Sequence, residues 1–154
     1  PNLDVRRFTP EFVPREVYTL RVVLGPQDDA FSEEGLQTFL NETYTVTPEF
    51  DRMGCRLTGA AIAHKDGADI ISDGIAFGAI QVPASGEPII MLADRQTTGG
   101  YTKIANVISA DFRLLSQLKA NDKVRFAKVS VAAAQDAKRA ERDALRVFAY
   151  AFGR

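Results

Sequence analysis

The sequence predicts a mainly β protein, a closed or nearly closed barrel with two short helices and a C-terminal helix. Two observations carry that expectation. From Thr43 onward, short apolar stretches are cut at short intervals by turn chemistry: Lys65-Asp-Gly67, Ser72-Asp-Gly74, Ala84-Ser-Gly86, Thr98-Gly-Gly100 and Ala120-Asn-Asp122. After Ser130 the pattern becomes alanine-rich with interleaved charge, a composition with strong helical propensity.

Residues 1–16, with three prolines among the first fifteen positions and little periodicity, read as a linker or edge segment. Val17 to Leu24 alternates, with Tyr18, Leu20, Val22 and Leu24 on the face predicted to enter the core. After the Gly25-Pro26 break, Ser32 is a suitable N-cap and Glu33 and Glu34 favour the positive end of a helix dipole. Leu36, Phe39 and Leu40 then follow at helical spacing, which gives a helix at about 32–41. The expected strands that follow are Tyr44–Thr47, Arg52–Thr58, Ala76–Val82, Pro88–Leu92, Ile104–Ser109 and Lys123–Val129. A second short helix fits Asp111–Gln117, with Asp111 as its cap. Residues 17–130 are therefore expected to form the barrel domain, and residues 131–154 a C-terminal helix. Leu145, Phe148 and Phe152 would give that helix an apolar stripe, suited to docking on the barrel or on a sister copy.

Composition narrows the function. Nineteen basic against twenty acidic residues give a net charge of -1, which offers no field for nucleic acid or an anionic membrane. No apolar run approaches the roughly 18–20 residues of a membrane span. The single Cys55 cannot form an internal disulfide, which fits the cytoplasm, and one histidine with scattered carboxylates shows no metal-ligand spacing. The start, Pro1-Asn-Leu-Asp-Val, has neither a signal-peptide core nor an initiator methionine, so a preceding segment is expected to complete any site found here only in part.

Side chains with hydrogen-bonding capacity concentrate in Leu92–Tyr101. Asp94, Arg95, Gln96, Thr97 and Thr98 offer an acceptor, a cation and neutral donors, and Gly99 and Gly100 would let backbone N–H groups approach a carbonyl oxygen or an anion. Tyr101 closes the segment. Taken alone, Gly99-Gly100 reads as an ordinary turn. Gln81, on a face shared with Phe77 and Ala79, suits an amide substrate or a neighbouring backbone group. Arg52 and Arg56 flank Gly54 as a carboxylate clamp or as a solvated strand face, with Met53, Cys55 and Leu57 pointing inward. His64 is the sole neutral-pH proton carrier, or a satisfied surface residue, and Cys55 reads as an inert core thiol.

Six ordered blocks then carry a specific resemblance: Gly25-Pro-Gln-Asp-Asp29, Tyr44-Thr-Val-Thr47, Asp51-Arg-Met-Gly54, Ser72-Asp-Gly74, Gly78-Ala-Ile-Gln-Val-Pro83 and Leu92-Ala-Asp-Arg-Gln-Thr-Thr-Gly-Gly-Tyr101. In this order they resemble the allophanate hydrolase subunit 2, or biotin-dependent carboxyltransferase, family over about Leu20 to Val129. The branch with the most similar Leu92–Tyr101 block is that of the bacterial 5-oxoprolinase C subunits. The resemblance implies a cyclophilin-like β-barrel, the second of two such halves. It also implies ATP-dependent hydrolysis of 5-oxoproline to glutamate with companion subunits, especially one of the allophanate hydrolase subunit 1 type. ATP would be used by the complex. The alternatives it implies are carboxyl transfer from carboxybiotin to urea or a related amide, and a regulatory module that antagonises a kinase inhibitor.

On the enzyme reading, Asp94, His64 and Gln81 are the expected catalytic residues. Arg52, Arg95, Gln96, Thr97, Thr98, Gly99, Gly100 and Tyr101 are expected to bind a small amide substrate, no metal site is expected, and the isolated chain should be inactive. A single groove holding all of them sets a geometric demand. Antiparallel pairing through the Pro83–Pro88 turn puts Gln81 near the turn and Asp94 at the far end, so the segment after Asp94 must fold back across the barrel mouth.

Overall fold

The computed structural model describes residues 15–152, so most of the expected linker lies outside the described residues. Seven strands close a barrel in the order β1-β8-β5-β6-β3-β2-β9, and a separate two-stranded ribbon pairs β4 with β7. The strands are β1 (Tyr18–Leu24), β2 (Tyr44–Phe50), β3 (Gly54–Thr58), β4 (Asp69–Gly74), β5 (Ala79–Gln81), β6 (Ile89–Met91), β7 (Thr98–Tyr101), β8 (Lys103–Val107) and β9 (Lys123–Lys128). The helices are α1 (Glu33–Asn41), α2 (Phe112–Leu115) and α3 (Val131–Phe152). This is the mainly β barrel with two short helices and a C-terminal helix that the alternation and turn spacing predict.

Closure is made by β1, which pairs antiparallel with β8 and parallel with β9 and so leaves the barrel no free edge. The interior follows from the period of two. Tyr18, Leu20 and Val22 are buried from β1, Cys55 and Leu57 from β3, and Val124 and Phe126 from β9. Helix α1 covers one end. Ser32 caps it by accepting from the Gly35 backbone N–H, and Phe39 stacks on Phe126 with ring centroids 4.5 Å apart. Gly35 is required there, because a Cβ would stand 2.2 Å from the Ala63 carbonyl oxygen.

Several local expectations are corrected. Met53 does not point inward: β3 starts at Gly54, and Asp51 Oδ1 accepts from the Met53 and Gly54 N–H groups in a turn that leaves Met53 44% exposed. Strand β5 starts at Ala79, since Gly78 at φ 83° breaks the alternation, and Phe77 packs edge-on against Phe112 outside the strand. Asp111 does not cap α2. Its carboxylate, almost fully buried, accepts from the Arg21 backbone N–H at 2.8 Å and from Arg21 Nε at 3.0 Å, and so ties β1 to the α2 turn.

The largest difference is the ribbon. Ser72-Asp-Gly74 and Thr98-Gly-Gly100 each have the composition of a turn, yet they pair as β4 and β7, with Asp73 opposite Gly99 and Gly74 opposite Thr98. Helix α3 starts with Ser130 Oγ accepting from the Ala133 N–H and packs against the Ser109–Asp111 turn. Leu145 is 63% exposed and does not dock on the barrel, while the Phe148 and Phe152 side chains lie outside the described residues. No helix among the described residues is long and apolar enough to cross a membrane.

Candidate functional site

The expected site residues fall into pairs rather than one groove. At one end, Arg52 and Asp94 form a bidentate ion pair, Nε to Oδ2 at 2.8 Å and Nη2 to Oδ1 at 3.1 Å, with both side chains at least half exposed. Asp94 also donates its backbone N–H to the Arg52 carbonyl oxygen. The predicted catalytic carboxylate and the predicted substrate clamp thus satisfy each other. An adjacent groove of about 400 Å³, lined by Phe50, Arg52, Phe77, Leu92, Ala93 and Leu115, holds neither Gln81 nor Thr97, Thr98 or Tyr101.

Arg95 is committed to the backbone. Its Nε donates to the Ile75 carbonyl oxygen at 2.9 Å and Nη1 to that of Leu92 at 3.2 Å, and the guanidinium lies 6.0 Å from the centroid of the Phe77 ring. Gln96 and Thr97 are exposed, and the Thr97 carbonyl oxygen accepts from the Ile75 N–H. His64 is committed too. Nε2 stands 3.1 Å from the Val82 carbonyl oxygen and 3.0 Å from Thr102 Oγ1, and the ring packs on Phe31 at 4.6 Å. Through these contacts His64 joins the Val82 and Thr102 segments.

Gln81 is different. Pairing of β5 with β6 sets it level with Ile89, away from Asp94 beyond the other end of β6. The segment after Asp94 does fold back, however. As β7 it brings Gly99 over the Gln81 side chain, so close that a Cβ on Gly99 would lie 2.9 Å from Gln81 Nε2 and 2.7 Å from Ile75 Cδ1. Thr98 and Tyr101 sit at the ends of the same strand, and both are exposed.

On the other side of Gln81, in direct register across β5 and β8, is Lys103. Sequence reasoning missed it by starting that strand at Ile104. Strand alternation would turn Lys103 inward with Ala105 and Val107, but the register shift between Ile80 and Gln81 places it on the Gln81 face, beneath the ribbon. Its side chain is 2% exposed, and Nζ lies 3.2 Å from Asp73 Oδ2 on the ribbon. The contact is an ion pair without hydrogen-bond alignment, which leaves Lys103 Nζ, like Gln81 Nε2, buried with no hydrogen-bond partner. Gln27 braces the pair: Nε2 donates to Asp73 Oδ2 at 3.3 Å and Oε1 accepts from the Lys103 backbone N–H at 3.1 Å. The Gly74 backbone N–H on Asp73 Oδ1, and then Lys103 and Gln27, hold the Asp73 carboxyl below its ordinary range. Burial pushes the Cys55 thiol up to about 12, which makes it inert at neutral pH.

Asp73, Gln81, Gly99 and Lys103 thus meet where the ribbon covers the barrel wall, with Gln81 and Lys103 buried beneath it and the Asp73 carboxylate half exposed. The arrangement does not resemble a phosphate cradle, because Gly99 and Gly100 are extended within β7 and not turned into a nest of N–H groups.

Comparison with known proteins agrees with this architecture. The C subunit of 5-oxoprolinase from Haemophilus influenzae is 38% identical over 120 residues, covering 78% of this chain and 39% of that protein. The corresponding 5-oxoprolinase C subunit of Escherichia coli is 32% identical over 129 residues, 84% of this chain and 41% of that one. The chain therefore spans about two fifths of the length of these relatives. The crystal structure of Kluyveromyces lactis urea carboxylase superposes with a TM-score of 0.83 at 24% identity, over 90% of this chain and 13% of that one, a likeness of fold. The family model described as carboxyltransferase domain, subdomain A and B, matches residues 4–128, and with most of the barrel inside that match the chain belongs to this family.

Proposed function

We propose that this chain is part of a C-type subunit of an ATP-dependent 5-oxoprolinase, which opens 5-oxoproline to glutamate together with companion subunits. The carrying observation is the Gln81 side-chain amide, buried in the barrel wall beside Gly99 with its Nε2 unpartnered. A buried donor without an acceptor costs about 1–3 kcal/mol, and a substrate oxygen placed there recovers it. Similarity to two curated 5-oxoprolinase subunits supports the choice of substrate over urea.

On this reading Gln81 holds the amide oxygen of the substrate, where donors preorganised in a dry site stabilise developing negative charge. Arg52 and Asp94 hold the β3 and β6 ends together at the margin, and Arg95 and His64 fasten the segments that carry the site. Gly99 and Gly100, extended within β7, form no nest of N–H groups for the phosphates of ATP, so this segment takes no part in holding the nucleotide. The companion subunits and the remaining part of the subunit are the partners this requires.

The test is reconstitution of the full-length subunit with its companions, followed by measurement of glutamate formed from 5-oxoproline and ATP. Turnover that falls at least about tenfold in Gln81→Ala with assembly unchanged is the expected result. Urea-dependent ATP hydrolysis without 5-oxoproline turnover would overturn the proposal. The isolated chain is expected to turn over neither substrate.

A further inference from the structure

On the outer face of the barrel, β2 and β3 separate locally. Val46 pairs with Leu57 and Phe50 with Cys55, so Thr47, Pro48 and Glu49 together stand opposite Arg56. Such a bulge bends its strand and re-aims the side chains around it. Beside it lies a cleft of about 420 Å³, walled in part by Pro48, Pro83 and Ile89. Across the other edge of β3, Arg56 pairs with Ile89, and Thr58 Oγ1 donates to Glu87 Oε1 at 2.6 Å. Arg56, Glu49 and Glu87 therefore all border the same cleft. Ile89 stands between it and Gln81, with which it is in register.

Two opposite charges in this cleft do not satisfy each other. Arg56 and Glu87 are diagonal neighbours across the β3–β6 pair, a separation of about 7–8 Å at the backbone that long side chains can bridge. Arg56 turns instead to Glu49, through Nε at 3.5 Å. The Glu87 carboxylate accepts from the Thr58 hydroxyl and has no cationic partner among the described residues. The Arg56 and Glu49 side chains are 55% and 80% exposed, and ion pairs so solvated are weak and readily exchanged. A guanidinium and a carboxylate thus border one cavity, each with capacity for a new partner. A free anion would meet Arg56 but face two carboxylates, and a free cation would meet Glu87 but face Arg56. A zwitterion offers the opposite charge to each.

We propose that this cleft binds a free α-amino acid with an apolar side chain. The ligand carboxylate takes the Arg56 guanidinium, whose fork of N–H donors suits it, and the ammonium takes Glu87. The ligand side chain lies against Pro48, Pro83 and Ile89. Glu49 releases Arg56 to the ligand and, together with Glu87, disfavours amino acids that carry a second carboxylate. Arg56 and Glu87 are binding residues of a second site. It uses neither Gln81 nor the amide chemistry proposed above, and it stands or falls independently of them.

The test needs neither ATP nor companion subunits. The chain is titrated with L-leucine, N-acetyl-L-leucine, L-leucinamide and L-glutamate while Arg56 Nε and the Thr58 and Glu87 backbone amides are followed by nitrogen-15 NMR. Leucine should shift these resonances saturably. The N-acetyl form, which lacks the ammonium, and the amide, which lacks the carboxylate, should each bind at least about tenfold more weakly. Glutamate, with its second carboxylate, should also bind more weakly than leucine. Glu87→Gln keeps an acceptor for Thr58 and should weaken leucine at least about tenfold, to the level of N-acetyl-leucine. Arg56→Gln should abolish the leucine response while the remaining spectrum keeps its dispersion. If that variant does not fold, the isosteric Glu87→Gln still decides. Leucinamide binding as tightly as leucine would make the cleft an acidic face that adsorbs cations, and would overturn the site. So would equal binding of N-acetyl-leucine by the native chain, undiminished leucine binding by Glu87→Gln, or no saturable shift with any probe.

Discussion

The barrel wall and the β4–β7 ribbon are built from similar lengths of chain and obey different physics. In the wall each strand is paired on both sides and the inward side chains are fully buried, so stability is spread over many apolar contacts. The ribbon has two strands and mostly exposed residues, with Ile71 95% exposed, and a two-stranded ribbon has little stability of its own. Its two strands are closed at the ends by the Thr102 N–H to Ala68 and Ile75 N–H to Thr97 backbone bonds, and Asp73 fastens it to Lys103 of the wall and to Gln27. The wall therefore sets whether the chain folds, and the ribbon sets what the folded chain presents.

Substitutions should separate the two regions. The largest effect is expected in the wall-covering core. Phe39→Ala removes a fully buried ring stacked on Phe126 and should lower unfolding free energy by about 3–5 kcal/mol, read from the urea midpoint. A loss below about 1 kcal/mol would mean that α1 is not part of the cooperative unit.

Alkaline pH should come next. The Cys55 thiol is raised by burial from 9.0 to about 12 and the Tyr44 phenol, also by burial, from 10.0 to about 12. Both groups keep their protons in the folded chain when the unfolded chain has lost them. The stability is therefore complete below about pH 9 and declines above it, at up to about 1.4 kcal/mol per pH unit for each titrating group. Cys55→Ala should flatten the first part of that decline, as measured by denaturation at about pH 8 and about pH 10. An unchanged slope would show that the thiol is not protected by the wall.

In the ribbon, Gly99→Ala should cost about 1 kcal/mol or less, because the atoms its methyl group meets are the ends of the Ile75 and Gln81 side chains. Spectral perturbation should be confined to the neighbourhood of Gln81, and one that spread through the barrel would break the distinction between the regions. The smallest effect is expected for Arg52→Ala, about 0.5 kcal/mol in a thermal melt, because the pair with Asp94 is solvated on both sides.

Legibility in the sequence follows the same division. The β1 core face, the Ser32 cap with the α1 period and the α3 composition are readable, since each depends on residues within a turn or two of one another. The ribbon is not, because Ser72-Asp-Gly74 and Thr98-Gly-Gly100 have turn composition and become strands only by pairing across 25 residues. Asp111 reads as a helix cap in the sequence and is not one for a similar reason: its partner, Arg21, lies 90 positions away. In the expected site, the residue types of Leu92–Tyr101 point to the right segment, but which of them are free to act depends on neighbours from elsewhere. Arg95 is occupied by the carbonyl groups of Ile75 and Leu92, His64 by Val82 and Thr102, and Asp94 by Arg52.

Local order alone therefore determined the fold class and the Ser32 start of α1, because period, caps and turn residues act over short distances. Tertiary structure alone decided that Lys103 and Gln81 stand side by side beneath Asp73 and Gly99. That juxtaposition rests on barrel closure and on the ribbon folding back, both of which are set by pairings between residues far apart in the chain.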